Sequence, residues 1–302
     1  MSIEIRDITD PSELVKVEEL QKKVWGMGDR DVVPVHMMVA TIMSGGLVIG
    51  AYDEENNLIG FVFGMPGIRK GETIHHSHMA GVLPDLRYKG IGYKLKLAQR
   101  ERVLSQGIKL IEWTFDPLRG PNAKLNFNKL GVISQRYIED VYGTLRDSIN
   151  YGVPSDRLLV DWWINSRRVI AKLKGKLKTP KVSELVANGV RLANEVKLVK
   201  RDDVFVEEIV NTDLKLSSKG VLIRVPYNDL TLKKVDFNLY MKWRYATRTL
   251  FEGYLGRDYI IVDFISEPVG DRRKNFYLLI QCSLKEVLNE DGSYFNILDR
   301  LR

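Results

Sequence analysis

Val82-Leu-Pro-Asp-Leu-Arg87-Tyr-Lys-Gly90-Ile-Gly92-Tyr-Lys-Leu-Lys96 is the stretch whose reading decides the fold. An apolar run ends at Val82, a loop carrying R-x-x-G-x-G follows, and a helix-forming run opens behind it. Glycine reaches backbone conformations closed to other residues and lets an anion come close to the main chain. Successive N–H groups of such a loop converge on that anion at the positive end of the following helix. Arg87, Lys89 and Lys94 add charge around it, and a diphosphate suits the site. A bare G-x-G also occurs in ordinary turns, so its position in the chain matters. A dinucleotide site wants its glycines directly after the first strand of a parallel βαβ unit, with an acid about 20 residues on. Here the glycines follow the fourth strand of an antiparallel meander, which argues against a dinucleotide.

Upstream, Ile3 to Ile5 reads as a short strand, and Asp10-Pro11-Ser12 opens a helix with Leu14, Val15, Val17, Leu20 and Val24 at helical spacing. Pro34 begins a second helix to about Met43. Strands follow from Leu47, from Leu58 and from Thr73 to Val82, separated by turns at 53–57 and 69–71. Downstream, a helix over about Tyr93–Ser105 is closed by Gly107, and a strand runs from Ile108 to Phe115. Then come a helix over about Pro121–Leu130 and strands over Ile133–Tyr142 and Leu158–Ile164. Antiparallel strands interrupted by helices indicate the α+β class: a mixed, mostly antiparallel sheet flanked by helices. Beyond about 184, a strand from Val221, a helix over Leu239–Leu255 and strands over Tyr259–Ile265 and Asn275–Cys282 form a smaller α+β domain. That domain repeats the strand–helix–strand order without the glycine loop. The expected organisation is a first domain at 1–166, a basic linker at 167–183 and a second domain at 184–302.

The net charge of +7 has one source. Arg167, Arg168, Lys172, Lys174, Lys176, Lys178 and Lys181 fall in one segment with no acid, and the rest of the chain is balanced. No aromatics interleave to stack bases, so a solvated linker is the favoured reading over a nucleic-acid clamp. Cys282 is the only cysteine, which excludes an internal disulfide and every multi-cysteine metal site. It sits in the apolar run Tyr277-Leu-Leu-Ile-Gln-Cys282, as an inert thiol would. The opening MSIEIRDITD has no basic and apolar leader pattern, and no apolar run spans a bilayer, so a cytoplasmic protein without membrane partners is expected.

Arg87-x-x-Gly90-x-Gly92 after a strand ending V-x-P resembles the pyrophosphate motif of the GNAT (GCN5-related N-acetyltransferase) superfamily. The element order over about 1–165 is that family's order, and Asn122-Ala-Lys-Leu-Asn-Phe-Asn-Lys-Leu-Gly131 is similar to its next helix. His76-Ser-His78, Gln99-Arg-Glu101, Trp113-Thr-Phe-Asp-Pro-Leu118 and Leu130-Gly131 resemble a prokaryotic group of its predicted acetyltransferases. The resemblance implies a GNAT-like acyl-CoA-binding domain, and makes the second domain a candidate degenerate half of the same kind. It implies acetyl-CoA as co-substrate and no metal. Main-chain groups of Ala80, Gly81 and Val82 would pair with the pantetheine arm. Arg87, Tyr88, Lys89, Gly90, Ile91, Gly92 and Tyr93 would hold the diphosphate, and Asn122 would reach toward the cofactor. The partners implied are a coenzyme A thioester and an amine acceptor; a homodimer is left open.

Many family members carry a tyrosine on the helix after the fifth strand as proton donor; counting back from Lys129 and Gly131 puts Phe127 there. Phenylalanine cannot donate. Acyl transfer to an amine also calls for a base. His76 and His78, expected by strand alternation to share a face with Ala80 and Val82, are candidates, as are Glu112 and Asp116 on or just after the next strand. A structural role for the histidines is the competing account, and His-x-His alone offers a metal too few ligands. Arg224, Arg244 and Arg248 read either as an anion site or, more simply, as ion-paired with Asp236, Asp263 or Glu252. An acetyltransferase acting on an amine is the leading function. A non-catalytic acyl-CoA-binding or sensing protein comes next, favoured by Phe127, and nucleic-acid binding last.

Overall fold

The computed structural model describes residues 2–87, 89–143 and 151–300. Packing divides the chain into two compact units, Met1–Trp113 with Tyr142–Pro154, and Thr114–Val141 with Ser155–Arg302. By packing, then, 114–141 and 155–166 group with the later part of the chain.

Unit 1 runs β1 (Glu4–Asp7), α1 (Pro11–Trp25), α2 (Val35–Met43), β2 (Leu47–Tyr52), β3 (Leu58–Arg69), β4 (Glu72–Val82), α3 (Ile91–Ser105) and β5 (Leu110–Phe115). The last two residues of β5 count with unit 2. The strands lie in the order β1-β2-β3-β4-β5, antiparallel until β5, which runs parallel to β4. α1 starts where expected because the Asp10 carboxylate accepts from Ser12 N–H and Pro11 tolerates the first turn. Its stripe of Leu14, Val17, Leu20 and Val24 is buried with Met38 of α2 against Phe61 and Phe63 of β3. α3 covers the opposite sheet face, where a side chain at Gly60 would press on Ile91 and Leu95.

Unit 2 begins with α4 (Gly120–Ala123), which continues as a wider π-type helix over Lys124–Leu130. There follow β6 (Ile133–Ile138), β7 (Arg157–Trp163), α5 (Arg167–Leu173), α6 (Val182–Ala187), β8 (Arg191–Leu192), β9 (Asn194–Arg201) and β10 (Val204–Thr212). The chain ends with β11 (Gly220–Val225), α7 (Asp229–Val235), α8 (Phe237–Leu255), β12 (Tyr259–Val269), β13 (Arg272–Gln281), α9 (Leu284–Asn289) and α10 (Tyr294–Arg300). Its sheet is ordered β7-β6-β12-β13-β11-β8, antiparallel except for β11 beside β8, and β9 and β10 form a separate hairpin. β13 separates β11 from β12, whereas β4 and β5 are neighbours, so the shared strand–helix–strand order does not bring the same pairing. α5, α6, α9 and α10 bury Ala171, Leu185, Val287 and Ile297 on one face, against Leu278 and Ile280. On the other face, Phe251 of α8 meets Tyr277 edge-on at 5.2 Å.

Two expectations need correcting. The strand expected to Tyr142 stops at Ile138, and turns follow. The basic segment is not a solvated linker: Arg167–Leu173 is helix α5, and two of its cations are in the core. Arg168 is fully buried, with Nε donating to Gly131 O at 3.1 Å, and Lys172 Nζ sits 2.8 Å from the buried Asp263 carboxylate. Charge alone placed this segment at the surface; its amphipathic spacing of Val169, Ala171 and Lys172 packs it inside. Cys282 is half-buried, and burial pushes its thiol up to about 12, which keeps it unreactive. Among the described residues no helix is long and apolar enough to cross a membrane.

Candidate functional site

β4 and β5 pair only at His75↔Ile111 and His76↔Glu112 among the described residues. On its other edge β4 stays paired to β3 as far as Val82↔Gly60. From Ser77 to Val82, therefore, the β5-facing edge of β4 lies outside that ladder. Backbone polar groups on such an edge must find water or a ligand.

A bulge lies at the fork. Between the pairs Phe63↔Met79 and Met65↔His76, Ser77 and His78 of β4 oppose the single Gly64 of β3. Only glycine fits there, because a Cβ would fall 2.3 Å from His75 Nε2 and 2.8 Å from the His76 carbonyl. The extra residue breaks the alternation of side chains. His78 and Met79 both turn to the α1/α2 side: the His78 ring stands edge-on to Phe63 at 5.8 Å, and Met79 packs into the cluster around Phe61 and Phe63. Ala80 and Val82, opposite Val62 and Gly60, lie on the α3 side. The expectation that His76 and His78 share a face with Ala80 and Val82 is thus overturned by one inserted residue. A glycine inside a strand was the signal that could have shown it.

His76 and His78 do share a face with each other, their ring centroids 6.2 Å apart. His76 is half-buried, with Nδ1 3.6 Å from Glu112 Oε1, while Arg69 Nη1 donates to Glu112 Oε2 at 3.1 Å. Sequence reading missed Arg69, which a turn residue's charge alone does not single out. His78 reaches solvent, yet partial desolvation and then the charge of His76 lower its pKa from the usual value. His75 and Ser77 point the other way, into a buried polar cluster under α3. Gln99 Nε2 meets His75 Nε2 at 3.1 Å, and Lys96 Nζ donates to Ser77 Oγ and Gln99 Oε1, each at 2.9 Å. Lys96 Nζ also lies 3.6 Å from the Trp113 ring centroid. Burial pushes the Lys96 amine well down, and burial followed by the Lys96 charge takes His75 to about 3. This cluster is internal to the unit.

The glycine loop leaves Val82 through a single 3-10 turn, Pro84–Leu86. Arg87 turns back, Nη2 donating to Val24 O at the end of α1 at 2.9 Å. Tyr88 lies outside the described residues. Gly90 caps α3 at φ +84°, a left-handed conformation that glycine adopts without strain, and a Cβ there would meet nothing within 4 Å. No side chain caps the first turn of α3, and no acid lies in it. The orphan amides of a helix start are thus left to a ligand or water. Lys89 and Lys94 are exposed beside them, Gly92 and Tyr93 are half-exposed, and Ile91 is buried as the anchor. These features fit a diphosphate.

In unit 2, Asn122 is exposed on α4, its N–H donating to Arg119 O. Asp116 is buried, and both of its oxygens accept from Arg244, Nη1 to Oδ1 at 2.8 Å and Nη2 to Oδ2 at 2.6 Å. Burial would raise its carboxyl, but the Arg244 guanidinium, joined by Arg157 and the Leu118 N–H, holds it below the ordinary value. A carboxylate so saturated is a poor base. Arg224, Arg244 and Arg248 are all ion-paired, with Glu207, Asp116 and Asp156, rather than with the acids expected. Phe127 is fully buried, edge-on to Tyr277 at 5.7 Å and near Phe115 at 6.1 Å. Among the described residues, no group of three His, Cys, Asp or Glu could hold a metal.

No protein-family model and no curated protein matches the chain. Among solved structures it is similar to an acetyltransferase assigned to the GNAT family from Desulfovibrio desulfuricans, with a TM-score of 0.44 and 14% identity over 54% of this chain and 99% of that one. A second is the ribosomal-protein-S18-alanine N-acetyltransferase of Escherichia coli, with a TM-score of 0.42 and 12% identity over 54% and 94%. The PaiA N-acetyltransferase of Thermoplasma acidophilum, solved with coenzyme A, is similar with a TM-score of 0.40 and 20% identity over 53% and 98%. Each of these acetyltransferases spans about half of this chain.

Proposed function

We propose that this chain is a GNAT-type N-acyltransferase that moves an acetyl group from acetyl-CoA to an amine. The observation that carries the reading is the start of α3: uncapped amides behind Gly90, open space over it, and Lys89 and Lys94 alongside. The unpaired edge of β4 between the bulge and Val82 supports it, since the amides of a pantetheine arm can add there as a strand would. His76 and His78, on the sheet face beside the fork, are the bases this reading assigns, with Glu112 next to them. Asp116 drops out of that role because Arg244 occupies both its oxygens.

The test is calorimetric titration of coenzyme A into the wild-type protein and into Gly90→Val. A β-branched residue in the left-handed region is strained, by about 1–2 kcal/mol, and crowds the anion. Affinity should fall at least about tenfold, which is 1.4 kcal/mol. Equal affinity for both proteins, or no binding to either, would remove the reading. Phe127 favours a second one, a protein that binds acyl-CoA without turnover. Release of free thiol from acetyl-CoA in the presence of primary amines separates the two.

A further inference from the structure

We propose that Glu112, anchored by Arg69, is a positioning residue that holds the His76 ring with Nδ1 protonated, so that Nε2 presents the lone pair that takes the acceptor's proton. This rests on the acyl-transfer reading above. The backbone sets the geometry first. His76 and Glu112 are directly paired across the parallel β4–β5 ladder, at its last pair before the strands part company. Each carboxylate oxygen of Glu112 then has its own neighbour, Oε2 the Arg69 guanidinium at 3.1 Å and Oε1 the Nδ1 of His76 at 3.6 Å. The second separation is just beyond a direct hydrogen bond, and a small ring rotation or one bridging water closes it. Side-chain exposures of 24% for Arg69, 14% for Glu112 and 30% for His76 describe a cluster sheltered at its carboxylate and open at its imidazole.

The chemistry follows from the imidazole. Its two neutral tautomers are close in energy, and a carboxylate beside one nitrogen selects the form protonated there. Arg69 matters because its hydrogen bond to Oε2 fixes the carboxylate with Oε1 turned toward the ring. His78, whose ring is set edge-on to Phe63, has no carboxylate within ion-pairing distance among the described residues, which singles out His76 of the two. In the transfer step the amine nitrogen bonds to the thioester carbonyl carbon and the C–S bond breaks. The electron pair leaves with sulfur as the coenzyme A thiolate, and the proton from the amine goes to His76 Nε2. The imidazolium so formed faces Glu112 until it yields its proton to the thiolate or to water.

Two measurements test this. Long-range ¹⁵N–¹H spectra of the histidine rings at neutral pH should show His76 as the Nδ1–H form in the wild type and as a mixture of tautomers in Glu112→Gln. An identical pattern in both proteins overturns the proposal whether or not the protein is an enzyme. The second measurement follows thiol release from acetyl-CoA with benzylamine, a linear diamine, glucosamine and an N-terminal alanyl peptide. Glu112→Gln should lower kcat about 10- to 100-fold, part of the 10²–10⁴ a placed general base supplies, and leave the KM for acetyl-CoA unchanged. In a His76→Ala background the same change should cost nothing further; losses that multiply overturn the proposal. Coenzyme A binding by calorimetry with no thiol release from any of these amines, alongside the expected spectra, would instead sink the transferase reading, and the catalytic role of the pair with it.

Discussion

Replacing Arg244 by methionine would strand the Asp116 carboxylate in the interior of unit 2. Arg244 is 0% exposed and Asp116 9%, so water cannot take over the two hydrogen bonds that the guanidinium supplies. Removing one partner of a buried pair costs about 3–5 kcal/mol, because the remaining charge is left uncompensated. At roughly 2–4 °C per kcal/mol for chains of this general size, the melting temperature should drop by about 6–20 °C. The pH dependence carries a distinct signature. In the wild type burial is outweighed by Arg244 together with Arg157 and the Leu118 N–H, and the Asp116 pKa is depressed; removing Arg244 takes away the main opposition to burial, so that pKa should rise above the unfolded value. A group raised in the folded state is penalised for its charge at pH above that raised value, and the penalty fades as pH falls toward the unfolded pKa and the carboxyl protonates. The deficit of Arg244→Met relative to wild type, read from urea midpoints, should therefore be full at pH 7 and shrink by pH 4.5. Adding Asp116→Leu should recover most of it, since an apolar pair of similar volume often replaces a buried ion pair at little cost. A deficit under about 1 kcal/mol at pH 7, or one that stays constant with pH, refutes the reasoning.

His75 should leave its mark on the acid limb of stability. Held at about 3 by burial and then by Lys96, it stays neutral in the fold while the unfolded chain takes up a proton below about 6.5, so stability falls as pH drops through that window. Between pH 6.5 and 5 the wild type should lose about 1.6 kcal/mol more than His75→Gln, measured by urea denaturation. Gly64→Ala places a methyl against His75 Nε2 and the His76 carbonyl, so it should cost about 1–3 kcal/mol by denaturant midpoint and weaken the bulge. Phe127→Tyr adds a hydroxyl inside a fully buried aromatic cluster, which should lower stability by about 1–3 kcal/mol while calorimetry finds coenzyme A affinity unchanged.

Much of unit 1 was legible because its signals are local. Asp10-Pro11-Ser12 and the Leu14–Val24 stripe specify α1, turn residues at 53–57 and 69–71 mark the hairpins, and the glycine loop fixes where α3 opens. What escaped depends on contacts distant in sequence. The bulge follows from Gly64 facing two residues of another strand, and nothing near His78 announces it. Asp116 reads as a free strand-end carboxylate until Arg244, 128 positions away, is found on it. The basic stretch at 167–181 misled for a related reason. Charge predicts exposure on average, but Lys172 is buried because Asp263 receives it, and a sequence does not display that pairing.

Under the acyl-transfer reading, Phe127 and His76 bear on opposite ends of the same proton inventory, and their weights differ. An alkyl amine near pKa 10.4 is neutral in only about one molecule in 10³ at pH 7, so supplying the reactive form or removing its proton is worth about 4–5 kcal/mol. A leaving thiol near 8.5 lies about 1.5 units above pH 7, so protonating the departing thiolate is worth about 2 kcal/mol at most. The phenol that Phe127 lacks would have served the smaller of the two. On that reading its absence would slow departure of sulfur without forbidding it; the Phe127 ring is instead buried between Phe115 and Tyr277. Removing the imidazole beside Glu112 would leave the larger demand unmet. Turnover in this protein should therefore respond more steeply to His76→Ala than to any donor restored near Phe127.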